Sequence, residues 1–121
     1  MNILIADDHY LYVQGIRLLL EEKDEVEQLL EAEDLSSVLE QLGQQPIDLL
    51  LLDLKMPGLG GMEVLREIKR FNNLMPVILL TGHGSTKEGI EGMRQGAYDY
   101  LIKPINIDEL IQKINEAIEG K

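Results

Sequence analysis

The chain has 121 residues, of which 45% are hydrophobic and 27% charged; 22 acidic side chains oppose 11 basic ones, giving a formal net charge of -11, and there is no cysteine. This length suits one compact domain around one core, and the balance excludes a disordered or fibrous chain. The excess of acid would repel nucleic-acid phosphates and anionic membranes, the lack of cysteine rules out disulfides and thiolate metal sites, and the apolar runs fall far short of the roughly 20 residues that span a bilayer.

Short apolar runs alternate with stretches of helical period, the pattern of a parallel sheet wrapped by helices, so the expected class is α/β. Asn2 to Ala6 reads as the first strand and runs straight into Asp7 and Asp8, which leaves no signal peptide and points to a cytoplasmic chain. His9 to Glu22 reads as a helix started by Asp8, with an inward stripe at Tyr12, Ile16, Leu19 and Leu20. Leu11 and Leu18 stand off that stripe and are expected to face solvent as an apolar docking face. Val26 to Ala32 is diluted by Glu27, Gln28 and Glu31, which an edge strand tolerates. Leu35 to Gln44 follows as a helix, and Ile47 to Leu52 has the near-continuous apolar character of a central strand buried on both faces, ending at Asp53.

Pro57, Gly58, Gly60 and Gly61 make a loop before a helix over Met62 to Phe71. Val77 to Leu80 is the fourth strand and ends at Thr81; Thr86 to Gln95 is the fourth helix; Tyr98 to Ile102 is the fifth strand and ends at Lys103-Pro104; Ile107 to Glu119 closes the chain as an amphipathic helix. The fourth helix carries Gly89 and Gly92 in its interior, each costing about 0.8–1.0 kcal/mol of propensity relative to Ala. It is therefore expected to be soft, and alanine at both positions to firm it.

In parallel α/β sheets the ligand crevice lies at the carboxyl ends of the strands. Here those ends carry Asp7 and Asp8, Asp53, Thr81 and Lys103. Carboxylates about 4 Å apart repel by about 4 kcal/mol at an effective dielectric near 20, so the group needs neutralising. Lys103 offsets one charge, and an all-oxygen donor set suits magnesium, with manganese the alternative. A carboxylate beside such an ion can attack phosphorus and form an acyl phosphate, while a hydroxyl and an ammonium hold the transferred oxygens. Taken singly, each residue has an ordinary explanation as a helix cap, turn former or solvated lysine. All of them falling at strand ends of one sheet does not.

Asp7-Asp8, then Asp53-Leu54-Lys55-Met56-Pro57-Gly58, Thr81-Gly82 and Lys103-Pro104 together resemble the receiver domains of two-component response regulators, over nearly the whole chain. The resemblance implies one receiver domain over 1–121, a flavodoxin-like doubly wound sheet of five strands in the order 2-1-3-4-5 with five helices, and a cis peptide before Pro104. It also implies that Asp53 is the phosphoacceptor, that Asp8, Asp53 and the Lys55 carbonyl ligate the metal with Asp7 acting through water, and that Thr81 and Lys103 contact the phosphoryl group. Thr81 and Tyr100, three residues before Lys103, are the implied switch pair. The implied partners are a histidine kinase or phosphotransfer protein upstream and an output domain, effector or second receiver downstream, with no turnover enzymology. His9 and His83 stand beside the site without an assigned role.

Other functions fit less well. A haloacid-dehalogenase-type hydrolase needs a second Asp two residues after the nucleophile, where Lys55 stands. A nucleotide-binding Rossmann module needs a glycine-rich loop after the first strand, where Asp7-Asp8-His9 stands. A receiver-shaped module that is never phosphorylated has no use for the intact constellation. For the output, Leu80-Thr81-Gly82-His83-Gly84 resembles receivers of enhancer-dependent activators, and Asp7-Asp8-His9 those preceding helix-turn-helix domains.

Overall fold

The computed structural model describes residues 1–54, 61–82 and 86–119. Among them β1 (Asn2–Ala6), α1 (Tyr10–Leu20), β2 (Gln28–Ala32), α2 (Leu35–Gln44), β3 (Leu49–Asp53), α3 (Gly61–Phe71), β4 (Val77–Thr81), α4 (Thr86–Arg94), β5 (Asp99–Ile102) and α5 (Ile107–Glu119) alternate along the chain. The five strands pair in parallel in the order β2-β1-β3-β4-β5, the expected doubly wound topology.

Strand alternation divides the core in two, because successive side chains point to opposite faces of a sheet. Leu4, Leu50, Leu52, Val77 and Leu79 meet Val38 of α2 and Val64, Leu65 and Ile68 of α3 on one face. Ile3, Ile5, Leu49, Leu51, Ile78 and Leu80 meet Val13, Ile16 and Leu20 of α1 and Leu110, Ile114 and Ala117 of α5 on the other. β3 and β4 are buried at every position, so uninterrupted apolar runs there cover both faces at once. β2 is the edge strand its polarity suggested.

Two expectations for α1 need correcting. His9, not Asp8, is the residue that precedes the helix; its side chain makes no capping bond, and the Asp7 carboxylate accepts its N–H at 2.9 Å. The buried positions are Val13, Ile16 and Leu20, with Tyr12 packed partly against them as expected; Leu19 is 44% exposed, and Val13 takes the inward place expected for Leu19. Leu11 and Leu18 do face solvent, at 84% and 69% exposure.

Helix ends follow local chemistry. α2 starts with a capping box in which the Asp34 carboxylate accepts the Ser37 N–H at 2.8 Å and the Ser37 hydroxyl accepts the Asp34 N–H at 3.2 Å. The chain leaves α4 through Gly96, two residues past its end, whose φ of 109° suits a residue without a Cβ, while Ala97 N–H reaches Gly92 O at 3.0 Å and Gly96 N–H reaches Met93 O at 3.2 Å. α4 lies close on the sheet: a Cβ at Gly92 would overlap Leu79, and one at Gly89 would overlap the ring of Tyr100. The two glycines thus stand where α4 approaches the sheet closely, and alanine at either would require Leu79 or the Tyr100 ring to shift, a cost set against the gain in helix propensity.

Candidate phosphoryl-transfer crevice

The crevice forms where three strands run out of sheet. β1 ends one residue before Asp7, whose N–H still bonds Ala32 O at 3.1 Å and so fixes the backbone at the β1–β2 edge. β3 delivers Asp53 as its last residue, in register with Leu80 of β4. β5 ends at Ile102, and the Lys103 N–H bonds Thr81 O at 2.7 Å before the cis Lys103–Pro104 peptide turns the chain toward α5. The implied cis bond is therefore present.

Asp7, Asp53 and Thr81 are buried, at 3%, 2% and 1% exposure, a polar group set into an otherwise apolar interior. Lys103 crosses from the far side of the crevice: its Nζ is 2.8 Å from Asp7 Oδ2 and 3.8 Å from Asp53 Oδ2. Burial is the largest influence on Asp7 and acts to raise its pKa. Hydrogen bonds from Lys103, from the His9 N–H and from the His9 ring, with the Lys103 charge, together outweigh it and hold the carboxyl below its ordinary value. Asp7 is accordingly a carboxylate, clamped by an ammonium.

Two residues that sequence reasoning did not place in the site are in it. The His9 ring reaches into the carboxylates, with Nδ1 2.8 Å from Asp7 Oδ1, 3.4 Å from Asp8 Oδ1 and 3.6 Å from Asp53 Oδ2. Its position immediately after an acid pair at a strand end was the available signal. Tyr12, read as a plain inward position, lies under Lys103, whose Nζ is 4.7 Å from the ring centroid. The Tyr12 hydroxyl accepts the Ile105 N–H at 3.2 Å, tying α1 to the segment after Lys103. Burial chiefly, and then the charges of Asp7 and Asp53, push the Tyr12 pKa up despite the Ile105 bond.

Thr81 sits one residue beyond the partner of Asp53, and its hydroxyl donates to Leu101 O at 3.3 Å. Tyr100 pairs with Leu79 and packs against the same core face, so by strand alternation Thr81 and Tyr100 lie on one side of the sheet. Lys55 and His83 fall outside the described residues.

One donor atom each from Asp7, Asp8, His9 and Asp53 lies within 4.8 Å of all the others. The three carboxylates form an oxygen set that fits a hard divalent ion, with Asp8 the more open member at 34% side-chain exposure. Chemically the arrangement offers a buried carboxylate beside an ammonium, a metal-compatible acid cluster and a hydroxyl one strand away. A set of this kind has the chemistry to support transfer of a phosphoryl group to a carboxylate.

Residues 3–115 match the family model described as "Response regulator receiver domain". Over 83 residues, 69% of this chain, it is 40% identical to the DNA-binding transcriptional regulator NtrC of Escherichia coli (strain K12), and over 80 residues, 66% of this chain, 42% identical to the regulatory protein LuxO of Vibrio cholerae. Each matched stretch is 18% of the relative's own length. Among solved structures, the Francisella response regulator 1452 receiver domain superposes with a TM-score of 0.88 at 34% identity, covering 98% of this chain and 97% of that one. A receiver domain protein from Clostridium thermocellum gives 0.90 at 40% identity, covering 98% and 94%. NtrX from Brucella abortus gives 0.91 at 30% identity, covering 98% of this chain and 27% of that one.

Proposed function

We propose, from the premise that this chain belongs to the response regulator receiver domain family, that 1–121 is one receiver domain in which Asp53 takes a phosphoryl group from a histidine kinase or phosphotransfer protein. The observation that carries this is Lys103 Nζ standing 2.8 Å from Asp7 and 3.8 Å from Asp53, an ammonium poised between the acid cluster and a buried candidate nucleophile.

An Asp53 carboxylate oxygen forms the new bond to phosphorus as the bond from phosphorus to the donor's histidine nitrogen, or to the leaving oxygen of a small acyl phosphate, breaks. Magnesium, or manganese in its place, would be held by Asp8, Asp53 and the Lys55 carbonyl with Asp7 acting through water, and would neutralise charge on the carboxylates and the incoming phosphoryl oxygens. Lys103 offsets charge on one phosphoryl oxygen, and the Thr81 hydroxyl exchanges its Leu101 carbonyl for another. Movement of Thr81 changes the space beside Tyr100 on the same sheet face, so α4 and β5 carry the signal outward. The domain assists its own phosphorylation and its loss, and turns over no separate substrate.

The recess of about 660 Å³ beside the crevice, lined by His9, Tyr10, Leu11, Tyr12, Lys103 and Pro104, supports docking of a kinase or phosphotransfer helix there. Because one matched relative is named a DNA-binding transcriptional regulator and another a regulatory protein, the output is inferred to be a transcriptional module or effector reached through the α4–β5 face, with pairing to a second receiver as the other use of that face. The acidic charge argues against direct nucleic-acid or membrane binding by this domain, and no helix among the described residues is long and apolar enough to cross a membrane. A cytoplasmic location follows from the kinase partnership.

Intact mass spectrometry after incubation with a small acyl phosphate tests the proposal. One added phosphoryl group is expected with magnesium, none with a chelator and none in Asp53→Asn. Equal labelling of that variant would overturn the assignment.

A further inference from the structure

The ring of His9 is held in the crevice by two bonds to one atom: Asp7 Oδ1 accepts from the His9 N–H at 2.9 Å and lies 2.8 Å from Nδ1. That anchoring leaves Nδ1 at 3.4 Å from Asp8 Oδ1 and 3.6 Å from Asp53 Oδ2, with Lys103 Nζ at 3.4 Å. Donors bound about 2.1 Å from one divalent ion stand about 3.0 Å apart along an octahedral edge and about 4.2 Å apart across it. The spacings from Nδ1 to the three carboxylates, and the 4.8 Å limit on the whole group, fall near that range. The ring is also 59% exposed, so it can adjust to an arriving ion without disturbing the core.

An all-oxygen site favours hard ions such as magnesium, which gives up its waters reluctantly, whereas an imidazole nitrogen raises affinity for first-row transition ions much more than for magnesium. We propose that His9 is a nitrogen ligand of this crevice, its Nδ1 giving up the bond to Asp7 Oδ1 as the ring keeps its single proton on Nε2, and that it shifts the site's preference from magnesium toward first-row transition divalent ions. The inference rests on the reading of the crevice as a metal site, and adds to it a residue outside the aspartate set.

The test is calorimetric titration of the unphosphorylated chain with magnesium chloride and with cobalt(II) chloride at one pH, for the wild type, His9→Ala and Asp8→Asn. His9 is exposed and caps nothing with its side chain, so its removal leaves the fold intact. The expected result is a cobalt-over-magnesium affinity ratio about tenfold or more higher in the wild type than in His9→Ala, with magnesium affinity changing by less than about twofold. The visible spectrum of bound cobalt should change on losing the nitrogen donor, a readout independent of phosphorylation. If both ions bind, Asp8→Asn weakens both and His9→Ala leaves the ratio unchanged, the histidine is no ligand and only this inference fails. Tighter magnesium binding in His9→Ala with cobalt unaltered would make the ring an obstruction, and also overturns it. If neither ion binds the wild type, the reading of the crevice as a metal site fails with it.

Discussion

The ring of Tyr100 occupies the place a side chain on Gly89 would need: an ideal Cβ there stands 2.6 Å from both Cγ and Cε2 of the ring. Helix propensity alone says that Gly89→Ala gains about 0.8–1.0 kcal/mol. Overpacking a buried contact costs about 1–3 kcal/mol, and at this separation the larger effect wins. Gly89→Ala is therefore expected to lower stability in urea unfolding, or to drive the Tyr100 ring off α4 with a change in tyrosine fluorescence. In a Tyr100→Ala background the same substitution should become stabilising by up to about 1 kcal/mol. The same sign in both backgrounds would show that the ring and the glycine are not coupled.

Leu11 and Leu18 are exposed on α1, and Leu11 lines the recess beside Lys103. Leu11→Ser with Leu18→Ser should change stability by less than about 0.5 kcal/mol, as surface substitutions do. Phosphotransfer from a cognate kinase should slow, while labelling by a small acyl phosphate should keep its rate, because only the kinase needs the docking face. Parallel rate measurements with the two donors separate these effects.

Lys113 of α5 bonds Asp99 at the start of β5, with Nζ 2.7 Å from Oδ2. Its pKa is raised, first by that hydrogen bond and then by the Asp99 charge. A raised lysine pKa means the contribution is complete below the ordinary value of about 10.5 and fades as pH climbs through the folded value. A partly exposed pair of this kind contributes about 0.2–1 kcal/mol. Lys113→Met should thus lower the melting temperature slightly at pH 7, and the gap to wild type should close in alkali as pH climbs past the ordinary lysine range. A gap that widens with alkali would assign the effect to packing.

The parts of the fold that were legible in the sequence are those set by long, regular patterns. The unbroken runs of β3 and β4 are buried on both faces, α2 and α5 occupy the expected spans, and the edge position of β2 follows from its glutamates. The strand-end residues were readable because strands stop where apolar runs meet polar side chains. What stayed hidden depends on neighbours distant in sequence. Propensity sees Gly89 only within its own helix, not against Tyr100 eleven residues on. Which positions of α1 turn inward, Val13 in place of Leu19, is decided by the sheet beneath it. His9 gave no sign of its direction, because the turn between β1 and α1 aims it and Asp7 fixes it.

The central claim is that one particular carboxylate, Asp53, carries the phosphoryl group. Borohydride reduces an acyl phosphate of aspartate to homoserine and leaves free carboxylates untouched, so it marks the acceptor. The chain treated with a small acyl phosphate and magnesium, reduced, digested and mapped by mass spectrometry should show homoserine at position 53 and aspartate retained at Asp7 and Asp8. Homoserine at Asp7 or Asp8, or at no position in a sample whose intact mass shows the phosphoryl group, would contradict the account.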